Sequence, residues 1–155
     1  MKEKLIAAWE HNVKTGLMLL DDVCELAALH IKPAGGGRSA GAQFTHISNV
    51  RGMWHKALID NGKSDAARID KENSENPEIL KIRFQESALL IPEIIESSWE
   101  NDFKVAGFKH GLFSFMTYLV SHEAHHRGQI IFTLKASGIR IEKDKLFALW
   151  DWNKF

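Results

Sequence analysis

The sequence predicts an all-α protein: a four-helix bundle with a long crossover connection between helices 2 and 3. Three observations carry that expectation. Apolar residues recur at steps of three and four along four long segments, which aligns them on one helical face. Alternating stretches that would mark strands are almost absent. Residues 61–76 are polar, with no periodic face, and exceed the roughly 2–8 residues usual between bundle helices. A length of 155 residues fits one domain covering 1–155.

The first helix carries Leu5, Trp9, Val13, Leu17, Leu20, Cys24, Ala27 and Ile31 on one stripe. It is expected to run to Pro33 and the glycines at 35–37, residue types that do not sustain a helix. Ser39 can cap the second helix, although Ala42 stands where a capping box would place Glu or Gln. That helix is expected to reach about Asp60, with Ile47, Val50, Trp54 and Leu58 inward. Asn76-Pro77-Glu78 combines a capping side chain, a proline at the first helical position and an acid at the positive dipole end. The third helix then aligns Leu80, Phe84, Ala88, Ile91, Ile95 and Trp99, and Pro92 is expected to kink or break it. Residues 101–111 read as a connection with an extended stretch at Phe103-Lys104-Val105. The fourth helix spans about Leu112 to Ser137, with Gly138 as its C-terminal cap. In the tail, Trp150 and Trp152 are expected to pack onto the bundle or to meet a second copy.

Charge and cysteine content narrow the function classes. Lys plus Arg and Asp plus Glu are both 20, so the chain lacks the basic excess that nucleic-acid binding or an anionic membrane surface requires. Cys24 is the single cysteine, which rules out an internal disulfide and fits a reducing compartment. No apolar run approaches the about 20 residues of a bilayer span, and the first residues do not read as a secretory signal. The expectation is a cytoplasmic protein without nucleic-acid or membrane partners.

The histidines carry the chemistry. His122 and His126 lie one helical turn apart, so one ion could bind both. They sit on the stripe Met116, Leu119, His122, His126, Ile130, Thr133. Two readings stand: metal ligands, or core histidines hydrogen-bonded to polar neighbours. His46, near the core edge of the second helix, is a third candidate, because catalytic metal sites commonly take three protein ligands and keep one position open. Its weight depends on whether helices 2 and 4 are neighbours. His11, His30, His55, His110 and His125 read as surface or boundary residues. Gln129 returns to the face of His122 and could orient a ligand, while Glu123 and Arg127 read as a surface ion pair. Residues 122–126 also match H-E-x-x-H, in which Glu123 would be the general base of a zinc protease. Against that, no histidine follows His126, leaving Glu142, Asp144 and Asp151 as downstream ligands, and no strand signal provides a substrate-binding edge.

Three stretches, in order, resemble the DinB/YfiT-like family of metal-binding four-helix-bundle proteins. They are Gly37-Arg38-Ser39-Ala40-Gly41-Ala42-Gln43-Phe44-Thr45-His46-Ile47, then Tyr118-Leu119-Val120-Ser121-His122-Glu123-Ala124-His125-His126-Arg127-Gly128-Gln129-Ile130, then Leu149-Trp150-Asp151-Trp152. The most specific part is a histidine, three residues, then His-Arg-Gly-Gln. The resemblance implies that helices 2 and 4 supply His46, His122 and His126 to one divalent metal ion, zinc or nickel. It also implies a homodimer acting on a small-molecule substrate. The activity implied is transfer of a low-molecular-weight thiol to an electrophile, because a metal favours the nucleophilic thiolate. Two alternatives use the same ligands: a hydrolase that activates water, and a non-enzymatic stress-response or interaction module that the metal staples together.

Overall fold

Local chemistry sets where each helix begins and ends. The computed structural model describes residues 1–63 and 68–151. Among these are α1 (Lys2–Glu25), α2 (Ala40–Leu58), α3 (Pro77–Glu100), α4 (Gly111–Ala136) and α5 (Lys143–Ala148), with a 3-10 turn at Lys71–Asn73. The Ser39 side chain accepts from the Ala42 N–H (3.2 Å), and Asn76 accepts from the N–H groups of Glu78 and Ile79 (3.1 Å each). At the end of α4, Gly138 takes a positive φ of 79° and the Ile139 N–H returns to the Leu134 carbonyl.

α1 stops earlier than its apolar pattern suggests. Ala27 adopts φ 51°, and the Ala28 N–H bonds back to the Val23 carbonyl, closing the helix after Glu25. Ala28 and Leu29 remain buried beyond that turn, so the apolar signal continues where the helix does not. Phe103-Lys104-Val105 is likewise no strand: Asp102 and Phe103 take positive φ, and the segment makes only an isolated bridge between Val105 and Phe108. In the tail, Leu149 is buried but Trp150 is 77% exposed, contrary to the expected packing. Trp152 lies outside the described residues.

Pairings between helices give their directions. Phe44 meets Phe84 edge-on, Arg51 reaches Ser87, and His55 reaches Glu93. The partner numbers rise together, so α2 and α3 run parallel and the chain must return along α2 between them. Asn49 pins that return by donating to the Ile69 carbonyl (2.9 Å) and accepting from its N–H (2.8 Å). Ser74 then crosses α2 at Gly41, where an added Cβ would lie 1.9 Å from the Ser74 carbonyl oxygen. The expected crossover is therefore present. α1 runs antiparallel to α3, through Lys81–Asp21 and Trp9–Ala88, and α4 antiparallel to α2.

The core has two apolar halves. One gathers around Leu19, Phe44, Phe84 and Ile130, the other around Trp9, Ile91, Phe115 and Leu119. Between them lies a buried polar layer with Asn12, Arg51, Ser87, Glu123 and His126.

α3 passes through Pro92 without a break. Proline has no N–H to give the carbonyl four residues back, which is that of Ala88. The Trp9 indole N–H donates to the Ala88 carbonyl instead, at 2.9 Å, with Trp9 1% exposed. The same bond ties α1 to α3. Trp9→Phe should cost about 1–3 kcal/mol by leaving a buried carbonyl unpaired, beyond the loss of ring packing. In a double-mutant cycle read by urea denaturation, Pro92→Ala should recover part of that loss by restoring a backbone donor. Strict additivity would show that the indole bond does not replace the missing helical one.

Candidate metal centre

The fully buried pair Arg51–Glu123 anchors the polar layer, both side chains being 0% exposed. Arg51 Nε donates to Glu123 Oε1 (2.6 Å) and Arg51 Nη2 to Oε2 (2.8 Å), a bidentate fork. Asn12 Nδ2 adds a third donor to Oε2 at 2.7 Å. The remaining Arg51 nitrogen donates to the Phe84 carbonyl (2.9 Å) and to Ser87 Oγ (3.2 Å). The Arg51 guanidinium also stands over the Phe84 ring at 4.2 Å. Arg127 closes the network by donating from Nη2 to Asn12 Oδ1 at 2.9 Å. Glu123 and Arg127 are thus not a surface pair; Arg127 approaches Glu123 only at 3.7 Å and is 13% exposed. Nor is Glu123 free to serve as a metalloprotease base, since both its oxygens already accept from buried donors.

Three imidazoles converge beside this layer. His122 Nε2 lies 3.2 Å from His46 Nε2 and 3.2 Å from His126 Nε2. One candidate ligand atom from each ring falls within 4.8 Å of the others. An ion holding nitrogens tetrahedrally at about 2.0–2.1 Å separates them by about 3.3 Å, so the cluster fits one small divalent ion. His126 is buried, while His46 and His122 are half-buried. Among the described residues, no further His, Cys, Asp or Glu joins the group. α2 and α4 are therefore neighbours, and they bring together the three histidines singled out in the sequence.

Proton bookkeeping also suits a cation. Gln43 Oε1 accepts from His126 Nδ1 at 2.5 Å. The neutral His126 ring then carries its proton on Nδ1 and keeps the Nε2 lone pair facing the cluster. His122 Nδ1 is buried and has no hydrogen-bond partner among the described residues. Nothing there prevents that ring from holding its proton on Nδ1 as well. Burial holds the pKa of all three rings below the ordinary imidazole value. The effect is largest for His126, pushed down to about 4 by burial and then by the neighbouring His122 and His46. At neutral pH the rings are uncharged, the form that ligates metals.

Gln129, expected to orient a ligand, is exposed, and Gln43 does the orienting. Gln43 had a signal: an amide one turn before His46 on the same face. His55 is buried rather than peripheral, with Nε2 2.7 Å from Glu93 and Nδ1 3.5 Å from Asp60. His125 is exposed, its ring centroid 5.2 Å from that of His126. Tyr118 stacks on His122 at 6.0 Å and also meets Trp54, forming an aromatic wall at one side of the centre.

The model of the DinB family matches residues 1–152, nearly the whole chain, and the chain belongs to that family. No curated protein and no solved structure matches it. None of the described helices is long and apolar enough to cross a membrane.

Glu123→Gln keeps the shape of the side chain but strips the Arg51 guanidinium of its counter-charge. It should destabilise the fold by about 3–5 kcal/mol, the usual cost of breaking a buried pair from one side. Replacing both partners by apolar residues should cost less than either single change. Chemical denaturation checks this, and a loss below about 1 kcal/mol for Glu123→Gln would show that the pair is not held in the charged, desolvated form.

Proposed function

We propose that this member of the DinB family is a metal-dependent thiol S-transferase in which His46, His122 and His126 hold one divalent ion, zinc or nickel. The observation that carries the proposal is the convergence of three imidazole nitrogens, His122 Nε2 lying 3.2 Å from each of the other two, on a face where two of the rings remain half-exposed. An ion bound there supplies a positive charge undiminished by neutral ligands, which lowers the pKa of a thiol or water brought to it.

The chain's own residues favour thiol over water. A free thiol ionises near pH 8.5, so a modest electrostatic pull yields the nucleophilic thiolate without a separate base. Water usually needs a proton acceptor as well, and the one carboxylate beside the cluster among the described residues, Glu123, is already saturated by Arg51 and Asn12. Gln43 fixes the His126 ring. The partial exposure of His46 and His122 leaves room for a ligand, whereas a purely structural ion is normally enclosed by four protein ligands. The small-molecule substrate, the homodimeric state and the cytoplasmic setting implied by the family resemblance belong to the same proposal.

Protein purified without an affinity tag or chelator should hold about one equivalent of divalent metal by elemental analysis. His122→Ala with His126→Ala should lose it while the helical circular dichroism persists. The loaded protein should accelerate thioether formation between a low-molecular-weight thiol and a chromogenic haloarene, and the double variant should not. A wild type that takes up no ion on titration contradicts the metal site. A loaded protein inert toward every thiol contradicts the transferase reading alone.

A further inference from the structure

One charged side chain near the centre has no structural employment. Arg38 is exposed and, among the described residues, makes no hydrogen bond or ion pair. The other arginines near the centre are engaged: Arg51 is consumed by Glu123, Phe84 and Ser87, and Arg127 bonds Asn12. Arg38 follows Gly36 and Gly37, which take φ values of 90° and 118° that other residues rarely adopt. An added Cβ would meet nothing within 4 Å at Gly35 or Gly36, and only Pro33, at 3.9 Å, at Gly37, so the glycine arm that leads to Arg38 is surrounded by open space at these positions.

That arm ends at the start of α2, one turn before Gln43. Ser39, the next residue, accepts the N–H of Gln43 through its carbonyl (2.9 Å), and Gln43 holds His126. Arg38 therefore sits little more than one helical turn, about 5–8 Å along the axis, from the residue that orients a ligand. The arginine side chain is long enough to span that distance. Burial is the main cause of the lowered pKa of His46, His122 and His126, and the charge of Arg38 adds to it at each ring. Among the described residues, the only carboxylate acting on any of the three rings is Glu123, which Arg51 neutralises.

We propose that Arg38 is an anion-recognising residue at the mouth of the three-histidine centre, so that a ligand reaching the centre carries a carboxylate that the guanidinium fork holds. The inference rests on the metal reading above and adds a substrate class to it. A guanidinium presents paired N–H donors whose spacing matches the two oxygens of a carboxylate, and it stays charged at any working pH. The carboxylate could belong to the thiol or to its acceptor, and the chemistry at Arg38 is the same for both.

Cobalt-loaded protein separates these cases, because a thiol binding to cobalt changes its visible spectrum. Mercaptoacetate and 2-mercaptoethanol differ by one carboxylate, and succinate added to protein saturated with 2-mercaptoethanol probes a carboxylate on the acceptor. Arg38→Ala should weaken one carboxylate probe by about tenfold, the usual scale of a charge-assisted hydrogen bond, and leave 2-mercaptoethanol unchanged. Loss confined to mercaptoacetate assigns the carboxylate to the thiol, and loss confined to succinate assigns it to the acceptor. Cobalt uptake with no dependence of either probe on Arg38 overturns the inference while leaving the metal reading intact. Failure to take up cobalt removes both.

Discussion

The carboxylate of Glu123 lies at the middle of the bundle, fully shielded from solvent, and its charge is tolerable only because Arg51 and Asn12 meet it there. Each long helix contributes to that solution: Asn12 from α1, Arg51 from α2, the Phe84 carbonyl and Ser87 from α3, and Glu123 from α4. Sliding any one helix by a turn would strand a buried charge or donor, so the network sets the register of all four. It also sets the rotation of α4. With about 100° per residue, pointing Glu123 inward swings His122 and His126 to one side of it, roughly 100° and 60° away, and sends His125 nearly to the back. That side faces α2, where His46 waits. The ion pair thus determines the geometry of the candidate centre without entering its chemistry.

A charge balance follows. Because Arg51 cancels Glu123 and burial keeps the three imidazoles neutral, no group acting on the rings among the described residues would offset a bound cation's charge. Among the described residues, Arg38 at the start of α2 likewise has no acidic partner. In the proposed centre, neutral imidazoles, an open side and the guanidinium of Arg38 together favour electron-rich, anionic ligands, and thiolates are among the strongest of these.

Much of this was legible in the sequence, for reasons that differ by residue. The bundle followed from four apolar stripes, and the crossover from a polar segment too long for a hairpin. His46, His122 and His126 stood out by face and by motif, although spacing could not say that α2 and α4 touch. The inward stripe of α4 was misread at one step. It runs Leu112, Met116, Leu119, Glu123, His126, Ile130, Thr133, a regular alternation of four and three. Pattern reading put His122 where Glu123 belongs, because a lone carboxylate does not survive burial. Its partner lies on α2, where Arg51 occupies an inward position near Ile47 and His55. Two opposite charges on separate inward stripes are a detectable sign, but only when segments are read against each other. Pro92 misled for a similar reason: the donor that repairs the helix comes from Trp9, 79 positions in sequence from the Ala88 carbonyl it meets. The early end of α1 escaped notice because Ala28 and Leu29 stay in the core after the backbone has turned.

X-ray absorption spectroscopy of the metal-loaded protein tests the central claim most directly, because it counts and identifies the atoms around the ion. The account predicts three imidazole nitrogens at about 2.0–2.1 Å and one exchangeable light atom, replaced by a sulfur scatterer at about 2.3 Å when a thiol is added. An ion with four fixed protein ligands and no response to thiol would mark a closed structural site. An ion coordinated by carboxylates rather than imidazoles would place it elsewhere in the protein and contradict the three-histidine centre.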